Sequence, residues 1–418
     1  MKILALVCYY PPYHSGGYEL RCKDVLEQLK QRGHEVKIIT SRVSNEAEIF
    51  YTKENNIHRQ FHILDSSLPM PQRVFRDYLD VKFLDKIITS FQPDLVYLWN
   101  VVNFSRAIFP YLADREIPVV YDEGGNGLSN CWHHGGSWFS YLERESSSPY
   151  KNTLKRIVGF LVQMLSGRLI KNLWHWPDNI WVYFNGELSY SNAIDDGWPV
   201  GDSLIIHSGV DIHKFAYKPR GKIASPLSIV VPGRIESRKG QADAVKLLMC
   251  LREKNTRANL SIVGKNNSDT YFQELKKLIG AYDLTEQVEI LPMIDHIKLA
   301  RLYQMSDICF FSSHATTGFS RVPLEAMACG SLVITYGNEG SNEIVQNKKT
   351  GFIVNQADFE TMTDIIQDLI SDAKTYQQII TNAHQLIIDE HSMETYVDKL
   401  EVILTDAQSH RNHQNPQK

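Results

Sequence analysis

Short, mostly apolar segments, each long enough for one strand and each followed by a polar loop, recur in both halves of this 418-residue chain. Strands of this composition are typical of parallel sheets that carry helices on both faces. The pattern therefore predicts two open parallel α/β sheets. The predicted strands are residues 2–8, 35–40, 94–99 and 117–121 in the first half, and residues 228–232, 259–264, 287–291, 306–312 and 331–336 in the second.

The stretch HSGVDIHKFAYKPRGKIASP, residues 207–226, interrupts this periodicity with Gly, Pro and Lys. It predicts a boundary between a Rossmann-like domain over residues 1–206 and a second one over residues 207–385. Ligands of open α/β sheets bind where the strands end and the helix N-termini point outward. The predicted fold class is therefore α/β, with two Rossmann-like domains facing across a cleft.

Composition excludes several classes of protein. The formal net charge of −4 provides no general attraction to nucleic acid. The six cysteines are scattered without a CxxC pair, so we expect reduced thiols in a cytoplasmic protein and no metal site. The N-terminal segment MKILALVCYYPP is better explained as a buried strand than as a secretion signal. No stretch reaches the roughly 20 apolar residues that a membrane-spanning helix needs.

The loop GRIESRKG, residues 233–240, follows a predicted strand and leads into a predicted helix. A helix N-terminus presents unpaired N–H groups and a partial positive charge, which favours anions. Together with Arg234 and Lys239, such a terminus has the chemistry to receive a diphosphate. A solvated charged loop is the alternative interpretation.

The second informative loop is TGFSRVPLEAMACG, residues 317–330. Glycine and small residues at its start allow backbone amides to approach a ligand closely. Glu325 lies in the first turn of the predicted helix, where its carboxylate can accept hydrogen bonds from two vicinal hydroxyl groups. Alternatively, Glu325 only complements the helix dipole.

The first half carries the segment PPYHSGGYE, residues 11–19, which places Gly16 and Gly17 at the start of the first helix. The segment lacks the GxGxxG fingerprint of ordinary dinucleotide-binding sites. The glycine pair therefore indicates either a tight turn or a place where a sugar phosphate lies against the backbone.

Taken together, these segments resemble the retaining glycosyltransferases of the GT-B fold, specifically family 4. The resemblance covers the chain to about residue 405, and the matching segments occur in the family's order. They are PPYHSGGYE, GHEV (33–36), SGVD (208–211), GRIESRKG, LEAMACG (324–330) and ITYGNEGSNEIVQNKKTGFIV (334–354).

The resemblance implies a role for each site residue and requires no metal or cofactor. In members of the family, a basic pair matching Arg234 and Lys239 holds the donor diphosphate, and a glutamate matching Glu325 binds the ribose. Residues 1–206 are then the acceptor domain and residues 207–385 the donor domain, while a helix over 386–405 crosses back and 406–418 form a disordered tail. The donor-binding set also includes Gly16, Gly17, Gly233, Leu291, Gly318, Phe319 and Ser320.

One position departs from the family's pattern. Most members have a glutamate that contacts the transferred sugar where this chain has Thr317. Because the family is thought to use the donor phosphate itself as the base, loss of this acid does not exclude transfer. Thr317 is expected to alter donor choice, or to leave a catalytically silent subunit that binds nucleotide sugars.

A second departure is YDEGGNG, residues 121–127, where many members have a histidine after the strand. Asp122 and Glu123 are the candidates there for orienting the acceptor, and each has the alternative role of capping a turn. His133 and His134 lie farther along the same loop. They have no partner carboxylate or cysteine at metal-ligand spacing.

The expected activity is a metal-independent, retaining transfer of a hexose from a UDP- or GDP-linked donor to an acceptor hydroxyl, in glycan, glycolipid or glycoside synthesis. An epimerase on the same scaffold remains an alternative. Polysaccharides, lipid-linked sugars and small metabolites remain open as acceptors. Residues 151–176, KNTLKRIVGFLVQMLSGRLIKNLWHW, are basic and apolar and predict peripheral contact with the inner face of a membrane, with a solvated helix as the alternative.

Overall fold

The computed structural model describes residues 1–13, 16–42, 56–65, 67–99, 101–125, 127–128, 147–170, 179–316 and 318–414. Internal contacts divide the chain into two compact units. The first unit contains residues 1–185 and 189–206 and the segment from Val397 onward, and the second contains residues 186–188 and 207–396.

The first unit is built on a parallel sheet with strand order β3-β2-β1-β4-β5-β6-β7. Its central strands β1, β4 and β5 are buried almost throughout, as expected when helices cover both faces. The strands are β1 (Lys2–Val7), β2 (Glu35–Ser41), β3 (Ile57–Phe61), β4 (Leu95–Trp99), β5 (Val119–Glu123), β6 (Ile180–Phe184) and β7 (Leu204–Ile205).

Helices pack on this sheet through stripes of apolar residues at helical spacing. In the first helix the stripe is Cys22, Val25, Leu26 and Leu29, all of which are buried. The described helices are α1 (Gly17–Gln31), α2 (Met70–Phe91), α3 (Ile108–Asp114), α4 (Pro149–Leu165) and α5 (Glu187–Asp195), and the C-terminal helix returns to this unit from Val397 onward.

The second unit contains a six-stranded parallel sheet with strand order β10-β9-β8-β11-β12-β13. Its strands are β8 (Leu227–Pro232), β9 (Ala258–Val263), β10 (Val288–Leu291), β11 (Ile308–Phe311), β12 (Leu332–Thr335) and β13 (Phe352–Ile353). Its helices, after a short 3₁₀ turn at Ser237–Lys239, are α6 (Gln241–Glu253), α7 (Asp269–Ala281), α8 (His296–Met305), α9 (Val322–Cys329), α10 (Ser341–Ile344), α11 (Phe359–Ser371) and α12 (Ala373–Glu390), followed by α13 (Met393–Gln414).

The two parallel α/β sheets confirm the predicted fold class. The C-terminal segment, however, differs from the prediction of one helix over 386–405. Helix α12 ends at Glu390 and α13 starts at Met393, because the backbone between them pairs with Val210: its N–H donates to the His391 carbonyl at 2.9 Å, and its carbonyl accepts from the Met393 N–H at 2.9 Å.

The prediction of a disordered tail from residue 406 is also wrong for its first part. Helix α13 continues to Gln414, and the Ala407 side chain on it is buried. The polar composition of this segment concealed one apolar position that packs, and the helix continues beyond residue 405.

Candidate functional site

The predicted site residues lie at the carboxyl edges of the two sheets, where ligands of parallel α/β folds bind. In the second unit Gly233 directly follows β8, and Leu291 is the last residue of β10. In the first unit Asp122 and Glu123 end β5, and Gly16 directly precedes α1.

The loop from Gly233 to Gly240 is held in one conformation by close backbone approach. Gly240 has a φ of 68°, and a Cβ there would lie 2.0 Å from the Ser312 carbonyl oxygen. The Ser312 hydroxyl in turn donates to the Lys239 carbonyl at 3.0 Å. A side chain at position 240 is therefore excluded, and Ser312, directly after β11, holds the Lys239 backbone.

Lys239 is the better enclosed of the two predicted cations. Its Nζ donates to Glu339 Oε1 at 2.7 Å and to Oε2 at 2.5 Å. The Lys239 and Glu339 side chains are 13% and 9% exposed. Burial lowers the pKa of Lys239, as do nearby Arg238 and Arg234, while Glu339 raises it. Three cations are thus close to one another and share only a few carboxylates.

Arg234 has a looser environment. Its side chain is 44% exposed, and its Nε lies 3.6 Å from Glu236 Oε1. The same Glu236 oxygen lies 2.8 Å from Arg238 Nε. The Gln241 amide nitrogen donates to the Arg234 carbonyl at 2.9 Å, which holds the backbone of the loop at this residue. The Arg234 side chain is therefore the more accessible of the two predicted cations.

The segment 318–320, which belongs to the predicted donor-binding set, packs against the loop that carries Glu339. The Ser320 N–H donates to the Glu339 carbonyl at 2.9 Å. Phe319 stacks on the His207 ring with a centroid distance of 5.5 Å, and Gly318 has a φ of 90°. Glu339 and Gly318–Ser320 are therefore parts of one surface. Thr317, whose identity sets this chain apart, lies outside the described residues.

Glu325 lies on α9 and is 6% exposed. Its Oε2 accepts from the buried Tyr303 hydroxyl at 3.3 Å, and its Oε1 lies 3.5 Å from Arg321 Nε. Burial, followed by the charge of Glu325, raises the pKa of Tyr303 well above its ordinary value. These contacts place the carboxylate within a buried polar cluster, and a hydrogen bond to a ribose stays a prediction.

Sequence reasoning missed a second set of residues that holds the cationic loop. His314 Nε2 lies 2.7 Å from Asp243 Oδ2, and the same oxygen accepts from the Tyr336 hydroxyl at 3.1 Å. The backbone N–H of His314 also donates to the Arg238 carbonyl at 2.8 Å. The only sequence signal was that each residue follows a strand or opens a helix at the carboxyl edge.

In the first unit Asp122 belongs to a sealed network. Its side chain is fully buried, and its Oδ1 accepts from Arg21 at 2.5 Å and from the Tyr18 hydroxyl at 2.8 Å. Its Oδ2 accepts from the Tyr183 hydroxyl. The Arg21 guanidinium lies over the Tyr18 and Trp99 rings. Asp122 therefore anchors α1 to the sheet and presents no oxygen to solvent.

Glu123 caps the loop that follows β5. Its carboxylate accepts from the backbone N–H groups of Gly125 and Gly127, both at 2.9 Å, and of Leu128 at 2.6 Å. Burial raises the pKa of Glu123 to about 7, with a smaller contribution from Asp122, while the three backbone donors lower it. The turn-capping alternative describes this geometry. His133 and His134 lie outside the described residues.

The glycine pair at the start of α1 is not required by the fold of its own unit. Gly16 has a φ of −172°, an extended backbone that any residue adopts, and its N–H donates to Glu19 at 3.0 Å. A Cβ on either Gly16 or Gly17 would meet no atom within 4 Å. The surface in front of this helix N-terminus is therefore open. Among the described residues, no three His, Cys, Asp or Glu side chains are grouped to hold a metal ion.

Two family models match the chain. The model described as glycosyl transferases group 1 matches residues 217–386, and the model of glycosyltransferase family 4 matches residues 15–159. An uncharacterized glycosyltransferase of Methanocaldococcus jannaschii is 22% identical over 400 residues, covering 94% of this chain and 95% of that protein. A glycogen synthase of Mycobacterium tuberculosis is 24% identical over 414 residues, covering 94% and 92% respectively.

Solved structures share the same architecture. The HepE protein of Anabaena, crystallised in complex with UDP, superposes with a TM-score of 0.68 at 19% identity, covering 97% of this chain and all of that one. A glycosyltransferase of Rickettsia africae gives a TM-score of 0.69 at 20% identity, covering 97% of this chain and 98% of that one. At these identities the likeness establishes the fold.

Proposed function

Because the chain belongs to the group 1 glycosyltransferases of the GT-B fold, we propose that it transfers a hexose from a nucleotide-diphosphate sugar to an acceptor hydroxyl, with retention at the anomeric carbon and without a metal ion. A bond forms between the acceptor oxygen and the anomeric carbon while the bond from that carbon to the diphosphate oxygen breaks. The hydroxyl proton passes to the departing phosphate on the same face of the sugar.

The observation that carries this proposal is the cationic loop after β8. Lys239 is held by β11 and by Glu339, with Arg234 and Arg238 close enough to lower its pKa. A diphosphate that leaves during transfer gains negative charge, and fixed cations at that point stabilise the transition state. Glu339 brings a single negative charge to Lys239. A diphosphate carries more negative charge, so it competes well with Glu339 for the Lys239 ammonium group.

Other residues act as positioning groups in this proposal. Asp122 and Glu123 are committed to internal hydrogen bonds, so they shape the carboxyl edge of the first unit without contacting the acceptor. Gly16 and Gly17 leave the N-terminus of α1 open to a phosphate oxygen. Glu325 and Leu291 are assigned to the ribose and to the nucleobase, respectively.

We propose that the base of the donor nucleotide is uracil. The crystal structures of Anabaena HepE contain UDP or UDP-glucose, and this chain shares their fold over nearly its whole length. The proposed setting is the synthesis of glycans, glycolipids or glycosides in the cytoplasm.

We also propose peripheral contact with a membrane through helix α4. One face of this helix exposes a row of large apolar side chains, and Gly159 is the only residue of the helix that is buried. Such a row is rare on a helix that faces only water. No helix within the described residues has both the length and the apolar composition needed to cross a bilayer. The row consists of Tyr150, Leu154, Ile157, Phe160, Leu161, Met164 and Leu165.

A thermal-shift panel of nucleoside diphosphates and their sugars tests the donor assignment. We expect UDP and one UDP-sugar to raise the melting temperature, and the shift to disappear in Arg234→Ala and Lys239→Ala. Lys298→Ala is the matched control, because that lysine on α8 is 70% exposed and pairs with Asp295, the N-cap residue of the same helix. A panel in which no nucleotide raises the melting temperature contradicts the proposal.

Product analysis with the preferred donor then tests the reaction. We expect an acceptor-dependent product with the anomeric configuration of the donor, formed at the same rate in excess EDTA. Conversion of the donor sugar without an acceptor identifies an epimerase, and binding without any turnover identifies a silent subunit.

A further inference from the structure

A groove with a volume of about 680 Å³ runs between helices α2 and α4 of the first unit. Nearly all the described side chains that line it are apolar, with only the Tyr78 and Ser166 hydroxyls as polar groups. A groove of this size falls within the range of sites that hold small organic ligands. The lining includes Met70, Val74, Phe75, Val158, Val162 and Leu165.

The groove opens onto the exposed apolar row of α4. Leu165 belongs to both, and its side chain is 86% exposed. On the opposite lip, Phe75 of α2 is 59% exposed. A continuous apolar surface therefore leads from outside the protein into the groove, which suits a ligand that enters from a lipid phase.

The charges on the α4 side of this surface have one sign. Residues 147–170 contain four cations, Lys151, Lys155, Arg156 and Arg168, and no Asp or Glu. Three of these side chains are exposed and Lys155 is half-buried. In an apolar segment this distribution complements an anionic headgroup that remains in water while its chain is buried.

The position of the groove connects it to the site. Its α2 wall is formed by residues between Met70 and Tyr78, the first turns of a helix that follows the carboxyl edge of β3. Of the two ends of the groove, the end formed by these turns is therefore nearer to the carboxyl edge of the sheet, where an acceptor hydroxyl is needed.

We propose that the groove between α2 and α4 binds the hydrocarbon chain of an anionic lipid, and that this lipid is the acceptor. The inference rests on the proposed function and narrows its acceptor to one chemical class. The lipid is drawn from a bilayer on which the apolar row of α4 rests. Its phosphate is held by the cations of residues 147–170.

Calorimetric titration with alkyl phosphates below their micelle concentrations tests the groove without knowledge of the natural lipid. Each buried methylene contributes about fourfold in affinity, so dodecyl phosphate is expected to bind at least about tenfold more tightly than octyl phosphate, with one molecule per chain. Saturating UDP should leave this binding unchanged, since UDP binds the second unit. Affinity independent of chain length, or displacement by UDP, overturns the proposal.

Two variants locate the binding. Val74→Trp fills the groove, and Leu165→Glu places a charge on its exposed lip without disturbing the core. Both should weaken dodecyl phosphate binding at least about tenfold while keeping the melting temperature and the UDP-induced shift. Met305→Glu, which changes another exposed apolar residue (68% exposed) in the second unit, is the matched control.

Unchanged binding in Leu165→Glu overturns the proposal. So does a dimer of the native chain that this variant dissociates, because the apolar surface would then be an interface between two copies. If UDP does not raise the melting temperature of the native protein, the proposed donor site is contradicted and the groove result stays intact. The two failures are therefore distinguishable.

Discussion

Two buried ion pairs, one at the carboxyl edge of each sheet, differ in how they are enclosed. Arg21 and Asp122 lie beside the Tyr18 and Trp99 rings, and the Tyr18 and Tyr183 hydroxyls donate to Asp122 Oδ1 and Oδ2, respectively. Lys239 and Glu339 lie in a loop surface that remains partly exposed, beside two further arginines.

The difference shows what a buried charge is able to do. A pair whose hydrogen bonds are all internal contributes to structure, because breaking it leaves an ion in a medium of low polarity. A pair at a partly exposed surface is able to exchange one partner for a ligand of the same charge. By this criterion Lys239 and Glu339 form the pair that is able to exchange a partner for an anionic ligand, whereas Arg21 and Asp122 hold the structure together.

The largest expected effect comes from breaking the sealed pair. Arg21→Met leaves Asp122 buried without its cation, and removal of one partner of such a pair costs about 3–5 kcal/mol. Urea denaturation should show this loss in the free energy of unfolding. Equal stability of Arg21→Met and the native protein would mean that the two pairs do not differ as described.

Asp77, another buried acid of the first unit, extends the comparison to the dependence of stability on pH. Burial and, to a lesser extent, neighbouring Asp80 raise the pKa of Asp77 to about 7, although a hydrogen bond from Ser105 lowers it. The folded state then holds a proton that the unfolded state releases near pH 4. Stability from this group is therefore complete at low pH and is lost as the pH rises toward 7.

Asp77→Asn removes this dependence. Between pH 4 and pH 8 the native protein should lose about 2–4 kcal/mol relative to the variant, measured as the difference between two series of urea denaturations. A difference that does not change with pH would show that Asp77 titrates normally.

The next effect concerns the Lys239–Glu339 pair. Lys239→Ala should lower turnover at least about tenfold, because each hydrogen bond to a charged group contributes about 1.5–3 kcal/mol. Glu339→Gln removes the same ion pair but keeps the cation, so turnover should be retained. If both variants lose turnover equally, Lys239 acts only as the partner of Glu339.

The smallest effect is expected at the glycine pair. A Cβ at Gly17 meets open space, so Gly17→Ala should raise the free energy of unfolding by about 0.5–1 kcal/mol. It should nevertheless raise the KM for the donor, because the new methyl group lies where a phosphate is proposed to approach. Gly280→Ala in α7 also faces open space and controls for the change in stability. An unchanged KM in Gly17→Ala would remove the first unit from donor binding.

The fold and the position of the cationic loop were predictable from the sequence, because both depend on local patterns. Apolar segments of strand length followed by helical periods fix a parallel sheet, and loops such as GRIESRKG then lie at its carboxyl edge. The same reasoning failed for α13, since the pairing of Val210 with the backbone of residues 391–393 joins positions about 180 residues apart.

By itself, therefore, the sequence determined two wound α/β sheets and a cationic loop, through the spacing of apolar residues and the residues at strand ends. Only the tertiary structure decided which charges are available to a ligand. Arg21 lies 101 positions from Asp122, and Lys239 lies 100 positions from Glu339. Nothing local distinguishes the two pairs, because enclosure by distant aromatic side chains sets the cost of separating them.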